Sequence, residues 1–164
     1  MKQDKINKQN MERILTSIYS NDKRRLINLL DSGIDINIED KDGRTPLIYG
    51  TIENNDELVR ILIEKGSNVN KQDSNGLAPL HFAVQKYNIA IANILIENVA
   101  QIDIQDSNGN TPLSDAVFYS EGRGEIITLL LSKGANKDLK NNYGVSPFEL
   151  SKTIANYNVA QFFE

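Results

Sequence analysis

Residues 73–83 read Asp-Ser-Asn-Gly-Leu-Ala-Pro-Leu-His-Phe-Ala. The frame Asp-x-x-Gly-x-x-Pro-Leu within this stretch recurs from Asp40 and from Asp106, and a weaker copy begins at Asn141. The glycines of the four copies lie 33, 33 and 35 residues apart: Gly43, Gly76, Gly109 and Gly144. A period held over four copies is the sequence signature of a repeat array, in which each copy is one supersecondary unit.

Each copy of the frame predicts a turn followed by the start of a helix. Asp and Asn bond to their own backbone in turns and Gly accepts positive φ, which makes Asp-Gly and Asn-Gly strong turn signals. Thr45 is suited to cap the next helix, and Pro46 fills its first turn, where a missing N–H costs nothing. Before the first turn, residues 34–38 read Ile-Asp-Ile-Asn-Ile and predict an extended segment. The residues four positions after the prolines are small, so that neighbouring helices can approach closely: Gly50, Ala83, Ala116 and Ser151.

A second helix is predicted late in each copy from apolar residues at helical spacing. In the first full copy, these residues are Leu58, Val59, Ile61 and Leu62. Gly66 and Gly134 are placed to end two of these helices, whereas Val99 occupies the matching position of the middle copy. A valine forced to positive φ costs roughly 1 to 2 kcal/mol, unless Asn98 takes over the cap. The two extra residues of the third copy predict a longer connection within 119–125.

The period, the turn glycines and the Pro-Leu-His-Phe-Ala of residues 79–83 resemble the ankyrin-repeat family. This resemblance implies an all-α solenoid, in which helix-turn-helix units are joined by β-hairpin or turn connections. Because no unit can bury its apolar face alone, the units are expected to stack, each covering its neighbour. An ankyrin-repeat domain of residues 10–164 is expected to contain five units, of which the first and last are atypical: residues 10–39, 40–72, 73–105, 106–140 and 141–164.

The two ends of the chain depart from the repeated pattern. Residues 1–9 are polar and are expected to form a flexible N-terminal tail, after which Asn10 is suited to cap the first helix. In the last copy, Val159, Phe162 and Phe163 match the apolar residues of the earlier second helices by their distance from the proline. We expect the phenylalanines to close the core rather than to bind a partner. This copy is either a shortened C-terminal cap or a unit whose sequence continues.

The composition of the 164 residues argues against several classes of protein. The formal net charge of −4 and the sequence pI of about 5.1 argue against nucleic-acid binding, which normally needs a basic face. No apolar run is long enough to span a membrane, and no signal-peptide pattern begins the chain. There is no cysteine for disulfides or thiolate chemistry. We expect a cytoplasmic protein that is monomeric and does not bind membranes, with a removed signal sequence as the open alternative.

Catalytic and metal sites find little support in the sequence. His81 is the only histidine, and the resemblance implies a structural position for it near the start of a helix. Nucleophilic triads and zinc sites need several converging partners, which one histidine without cysteine cannot supply. The stretch from Asp106 begins like a calcium loop, but Thr111 and Val117 stand where that loop needs Gly and Glu. We therefore expect no enzyme activity, no cofactor and no metal.

The positions that repeat least are the candidates for a binding surface. In ankyrin-repeat proteins, partners contact the residues beside the turn glycine and those late in the first helix. The resemblance therefore implies this set of partner-binding residues: Lys41, Asp42, Arg44, Ser74, Asn75, Leu77, Gln85, Lys86, Ser107, Asn108, Asn110, Phe118, Tyr119, Asn142 and Tyr143. Leu77, Phe118 and Tyr119 would be large apolar groups near solvent, and such anchors tend to carry binding energy. The alternative is that Phe118 turns inward and packs.

The expected function is non-catalytic binding of another protein through the turn tips and the concave face of the helices. Two alternatives stay open. One is a structural role, as a spacer or as a fragment of a larger effector or scaffold protein. The other is an enzyme or a small-molecule binder, which converging polar groups in a pocket would favour. The sequence names no partner, because function resides in the surface that a repeat scaffold carries.

Overall fold

The computed structural model describes residues 2–164, and every regular element in that part of the chain is helical. In the described residues, nine α-helices precede a final 3-10 helix at Val159–Phe163. The helices are α1 (Lys2–Tyr19), α2 (Lys23–Asp31), α3 (Pro46–Ile52), α4 (Asp56–Glu64), α5 (Pro79–Gln85), α6 (Ile89–Glu97), α7 (Pro112–Phe118), α8 (Glu125–Ser132) and α9 (Pro147–Ser151). The all-α architecture is confirmed, and turns, with no strand in residues 2–164, connect the helix pairs.

The N-terminal segment is helical, so the expectation of a flexible tail at residues 2–9 is wrong. α1 begins at Lys2, and Asn10 lies inside this helix instead of capping it; Met1 lies outside the described residues. The later turns of α1 are anchored in the core by Ile14, which is fully buried. Once a helix is anchored by packing, each further residue adds one hydrogen bond without a new nucleation cost. The helix therefore continues from its buried later turns back into the polar residues 2–9.

A tight turn precedes each of α3, α5, α7 and α9, and one side chain organises it. In the second of these turns, Asp73 Oδ1 accepts hydrogen bonds from the backbone N–H groups of Asn75 (2.9 Å) and Leu77 (3.0 Å). The glycine that comes fourth in each turn has a φ between 73° and 79°. In the other three turns, the side-chain oxygens of Asp40, Asp106 and Asn141 accept the same pair of hydrogen bonds.

Residues 34–38, which were expected to be extended, form a turn instead. The Asp35 carboxylate accepts a hydrogen bond from the Asn37 N–H (2.9 Å), and the Ile38 N–H donates to the Asp35 carbonyl (3.3 Å). An Asp side chain that bonds to the backbone two residues on offers that backbone an alternative to an extended conformation. The side chain of Asp35 therefore decides the local conformation against the alternating isoleucines.

Successive turns are joined directly by backbone hydrogen bonds. The Ser74 N–H donates to the Asp42 carbonyl, and the Ser107 N–H donates to the Asn75 carbonyl, each over 2.9 Å. An equivalent bond of 2.9 Å joins the third turn to the fourth. The turns approach so closely that a Cβ built on Gly76 would lie 2.6 Å from the Ser107 nitrogen. Glycine is therefore required here by space as well as by its positive φ.

The helices form two layers over one apolar core. The first helices of successive pairs pack against each other in the order α1, α3, α5, α7 and α9, while α4, α6 and α8 pack one beside the next. The small residues four positions after each proline are all buried, and a Cβ on Gly50 would lie 3.2 Å from the Leu62 side chain. One continuous apolar cluster runs from α1 to the final 3-10 helix. The expected stacking of the units is confirmed.

The third helix pair has the longer connection that its two extra residues predicted. Six residues join α7 to α8, against three between α3 and α4. Two glycines in this loop lie against aromatic residues near the C-terminus. A Cβ on Gly122 would lie 2.6 Å from the Tyr157 ring, and one on Gly124 would lie 2.2 Å from the Phe162 ring. The loop and the C-terminal segment therefore fit together only because the loop has no side chain at these two positions.

The C-terminal residues close the core as predicted, although they form a 3-10 helix rather than an α-helix. Val159 and Phe163 are buried, and the Phe163 ring centroid lies 5.6 Å from that of Phe148. Short helical pieces often take the tighter 3-10 form, because few hydrogen bonds are lost by doing so. The second layer thus ends with aromatic packing against α9.

Val99 adopts the strained conformation that its position predicts. Its φ is 62°, where the matching Gly66 and Gly134 have 97° and 89°. Asn98 lies at the end of α6 and donates its side-chain amide to the Ile94 carbonyl (2.8 Å). Val99 keeps its left-handed conformation despite this hydrogen bond. The side chain of Val99 is 80% exposed. The valine is therefore strained and gains little burial in return.

We expect Val99→Gly to raise the free energy of unfolding by about 0.5–1 kcal/mol, because the strain relieved exceeds the entropy that glycine adds to the unfolded chain. Denaturant unfolding followed by circular dichroism measures this change. Val99→Ala is the control: it removes the same exposed apolar group but keeps a Cβ, so it should recover only part of the gain. A less stable Val99→Gly variant would show that the left-handed strain is not real.

A second pair of variants separates backbone strain from the close approach of the turns. Gly76 and Gly66 both have positive φ, 77° and 97°. An added Cβ meets the Ser107 nitrogen at Gly76, whereas nothing lies within 4 Å of one at Gly66. We expect Gly76→Ala to reduce the free energy of unfolding by about 1–3 kcal/mol more than Gly66→Ala does. Equal losses in denaturant unfolding would mean that the turns do not pack as closely as described.

Candidate functional site

A groove of about 550 Å³ opens between the tips of the second, third and fourth turns and the helices α5, α7 and α9. Its walls come from three successive copies of the repeat, which the hydrogen bonds between turns hold at a constant spacing. Eight of the predicted binding residues line it: Asn75, Leu77, Gln85, Ser107, Asn108, Asn110, Phe118 and Tyr119. The groove therefore brings together most of the predicted residues of the two middle copies, with Ser74 and Lys86 outside it.

The other seven predicted residues lie outside the lining of this groove: Lys41, Asp42, Arg44, Ser74, Lys86, Asn142 and Tyr143. Six of the seven are exposed, and Arg44 is half-buried. The Arg44 Nε lies 3.6 Å from Oδ2 of the buried Asp73, and its guanidinium lies 5.7 Å from the centroid of the Phe82 ring. These contacts link two successive copies, which gives Arg44 a structural role.

Two adjacent aromatic side chains form the most exposed apolar part of the groove. Phe118 ends α7 and is 64% exposed, while Tyr119 follows it and is 43% exposed. Their rings meet edge to face, with centroids 5.0 Å apart and an angle of 80° between the planes. Phe118 therefore does not turn inward, and the alternative that it packs in the core is wrong.

Asp115 is a lining residue that the sequence analysis missed. Its residue is only 8% exposed, yet it borders the groove from the middle of α7. Asp115 Oδ2 accepts a hydrogen bond of 2.8 Å from the side-chain amide of Gln85, which lies on the neighbouring helix α5. Asp115 is thus a buried lining residue of the groove, whereas the aromatic pair is exposed.

Burial raises the pKa of Asp115 from its ordinary value of 3.8 to about 6. The hydrogen bond from Gln85 acts in the opposite direction, and the nearby carboxylate of Asp106 raises the pKa further. A buried carboxylate loses the hydration that stabilises its charge, and one amide donor compensates only part of that loss. Asp115 is therefore an anion at neutral pH that its surroundings do not fully stabilise.

A comparison of equivalent positions in the repeat could have found Asp115. Three residues after the proline, the four copies carry Tyr49, Phe82, Asp115 and Leu150. Three of these residues are aromatic or aliphatic, and a carboxylate among them is an exception that packing does not require. The other missed lining residues were Asp106 and Asn141, which begin turns, and Ser114 and Leu150, which lie in α7 and α9.

His81 has a structural role. Its Nδ1 accepts a hydrogen bond from the Ala78 N–H (3.1 Å), so the ring proton is on Nε2, which donates to the Asn110 carbonyl (3.3 Å). The first bond replaces the side-chain cap that Ala78 lacks, and the second links α5 to the next turn. The side chain is fully buried, and burial lowers its pKa, so that it stays neutral near pH 7. Both nitrogens are thus occupied and out of reach of a substrate.

The described part of the chain offers little for metal ligation or for membrane insertion. The Asp106 carboxylate, which begins the stretch similar to a calcium loop, accepts the backbone N–H groups of Asn108 (2.9 Å) and Asn110 (2.7 Å). Within residues 2–164, no three His, Asp or Glu side chains are gathered closely enough to hold a metal ion. None of the described helices combines the length and apolarity that a bilayer crossing requires.

Comparison with known proteins places the repeat in a family. The family model described as ankyrin repeats (3 copies) matches residues 14–106 and, in an overlapping match, residues 53–141. Together these matches cover well over half of the chain. No curated protein sequence matches the chain.

The ionisation of Asp115 should make the protein less stable as pH rises. The folded state keeps a proton on Asp115 up to about pH 6, whereas the unfolded chain releases it near pH 3.8, so stability is lost between these two values. We expect Asp115→Asn, which retains an acceptor for Gln85, to raise the free energy of unfolding at pH 7 by about 1–3 kcal/mol. This gain should shrink toward pH 4 in denaturant unfolding experiments.

Asp138→Asn is the matched control for this measurement, because Asp138 is an exposed carboxylate outside the groove. Its removal changes the net charge by the same amount without relieving a buried anion. We expect its stability curve against pH to run parallel to that of the wild type. If the Asp115→Asn curve runs parallel as well, the raised pKa of Asp115 is contradicted.

Proposed function

The chain belongs to the ankyrin-repeat family, and from this premise we propose that it is a non-catalytic module that binds another protein through its turn tips and the concave face of its first helices. Ankyrin repeats are generally protein-interaction modules. The observation that carries the proposal is the exposed aromatic pair, Phe118 and Tyr119, in a groove that six further predicted binding residues line. Other exposed rings lie outside the groove, such as Tyr143, but Phe118 and Tyr119 are adjacent and contact each other at its edge.

The size and placement of the exposed rings support this proposal. Aromatic side chains bury a large area when they meet a partner and lose few rotamers, so they tend to dominate binding energy. Leu77 lies half-buried in the same groove, on the turn before α5. Polar turn residues surround these apolar groups, which is the usual arrangement of an apolar centre with a polar rim.

The rigidity of the groove also favours binding. Each wall belongs to a turn that is closed by its own Asp or Asn side chain and is bonded to the next turn through the backbone. The groove is therefore formed before a partner arrives, and little conformational entropy is lost on binding. A few anchoring side chains can then give useful affinity.

The chemistry of the buried groups supports binding rather than catalysis. His81, the single histidine of the sequence, has both nitrogens bonded to backbone groups. Asp115 has an amide as its bonded neighbour, and a general acid or base needs a second group to act with. We propose neither enzyme activity nor a cofactor.

The charge of the groove supports a protein partner over a nucleic acid. Among the described residues that line it, two are aspartates and none is lysine or arginine. Phosphate groups would meet repulsion there, because nucleic-acid binding draws most of its affinity from lysine and arginine contacts. We therefore propose that the monomeric chain binds a protein segment and not DNA or RNA.

Removal of the aromatic pair tests the proposal. We expect the double variant Phe118→Ser, Tyr119→Ser to recover at least about tenfold less partner than the wild type from a lysate of the native cells, because aromatic anchors carry much of the binding energy. Immobilised protein and quantitative mass spectrometry measure the recovery. The melting temperature of the double variant should stay close to that of the wild type, since both side chains are exposed.

Val99→Ser is the matched control for the capture experiment. It also replaces an exposed apolar residue, but one that lies outside the groove, and it should capture as much partner as the wild type. Equal capture by the double variant would place the binding surface elsewhere. If the wild type captures no partner, the proposal is contradicted and a role as a structural spacer is favoured.

A further inference from the structure

We propose that the groove recognises an arginine side chain within an extended segment of the partner, with the guanidinium bound by the Asp115 carboxylate and lying against the aromatic pair. This inference rests on the proposed function and adds the chemistry of the partner to it. Three independent features of the groove carry it: its charge, the unused acceptor oxygen of Asp115, and the three- and four-residue spacing of the exposed rings from Asp115.

The charge of the lining is complementary to a cation. Asp106 and Asp115 both border the groove, and no basic side chain of the described lining offsets them. The whole chain has a formal net charge of −4, so that the surrounding field attracts cations as well. A neutral or anionic side chain would gain nothing from this arrangement, whereas a guanidinium or an ammonium would.

Asp115 has one oxygen available for such a cation. Oδ2 accepts the amide of Gln85, while Oδ1 accepts no hydrogen bond from any described residue. The residue is 92% buried, as only 8% of its surface is exposed, and it borders the groove. A buried carboxylate with one donor is under-compensated, and a guanidinium entering from the groove supplies both charge and N–H groups. The raised pKa of Asp115 agrees with this description of the unliganded protein.

The aromatic pair is placed to hold the same cation. Phe118 and Tyr119 follow Asp115 by three and four residues, which puts their side chains on the same face of the chain as it leaves α7. A guanidinium is planar and weakly hydrated, so it can lie on a ring while its edge bonds to a carboxylate. An ammonium makes this combined contact less favourably, because it is compact, strongly hydrated and has no planar edge. This geometry selects arginine over lysine.

The rest of the groove fits the backbone that would carry the arginine. The side chains of Asn75, Ser107 and Asn108 line the groove and make no hydrogen bond within the described chain. Their amide and hydroxyl groups can pair with the main chain of an extended segment, which has unsatisfied N–H and C=O groups along its length. Leu77 and Leu150 offer contact to an apolar residue beside the arginine.

Selection from a displayed library of random linear peptides on the immobilised wild-type protein tests the inference. We expect the enriched peptides to share one arginine. Asp115→Asn should weaken binding of a selected synthetic peptide by about ten- to hundredfold, since it removes a charge-assisted contact. Asp138→Asn, with the same change in net charge at an exposed site outside the groove, should leave the affinity within about twofold.

A double-mutant cycle shows whether the arginine and Asp115 act on each other. When the peptide arginine is replaced by glutamine, Asp115→Asn should have almost no further effect on the dissociation constant measured by calorimetry. Replacement of the peptide arginine by lysine should weaken binding to the wild type by about tenfold or more. Independent losses in the cycle would overturn the inference, because they would mean that the two groups do not meet.

The outcomes separate this inference from the proposed function. Enriched peptides that lack arginine but lose affinity with Phe118→Ser, Tyr119→Ser would overturn the arginine inference and leave protein binding intact. If no peptide is enriched while a partner is captured by the aromatic pair, the extended arginine segment is also excluded. If neither peptides nor a partner bind, both the inference and the proposed function fail.

Discussion

The hydrogen bonds between successive turns are the interaction on which the rest of the structure depends. The Asp or Asn that begins each turn binds two backbone N–H groups with one oxygen, so that the turn is closed without a partner strand. The carbonyl of the third residue is then free to accept the N–H of the following turn. These bonds link each copy to the next, while inside a pair the absence of a side chain at Gly50 leaves room for Leu62 and Val59 of α4. Each interface between adjacent copies then adds to the free energy of unfolding.

The repeated features of the fold could be predicted from the sequence. Local features that depend on one side chain could not. The period, the turn glycines and the helix-starting prolines predicted the stacked helix pairs, and the strain at Val99 followed from its alignment with glycines. The turn at residues 34–38 was missed because Asp35 outweighs the isoleucine pattern, and the helix at residues 2–9 was missed because its support lies farther along α1. Asp115 was missed because its exposure depends on packing between two copies.

The groove shows how a constant backbone carries different chemistry at one position. Tyr49 donates its hydroxyl to the Asp40 carboxylate (2.6 Å), and the equivalent Phe82 is nearly buried, so both serve the interior of the domain. Asp115, at the same place one copy later, accepts a hydrogen bond from Gln85 with one oxygen and lines the groove. Recognition therefore requires no change in the fold. It requires only that one copy carries a polar side chain at a position where other copies carry a residue that packs.

The contact between the long α7–α8 loop and the C-terminal aromatic rings limits how such an array can grow in evolution. A unit duplicated among the earlier copies presents the same surfaces to both of its neighbours, and lengthening there preserves every interface. An insertion directly after the third copy would separate Gly122 from Tyr157 and Gly124 from Phe162, which would bare two rings and empty the space that receives them. A unit inserted between the third and last copies would therefore disrupt this contact, whereas a unit duplicated among the earlier copies would leave it intact.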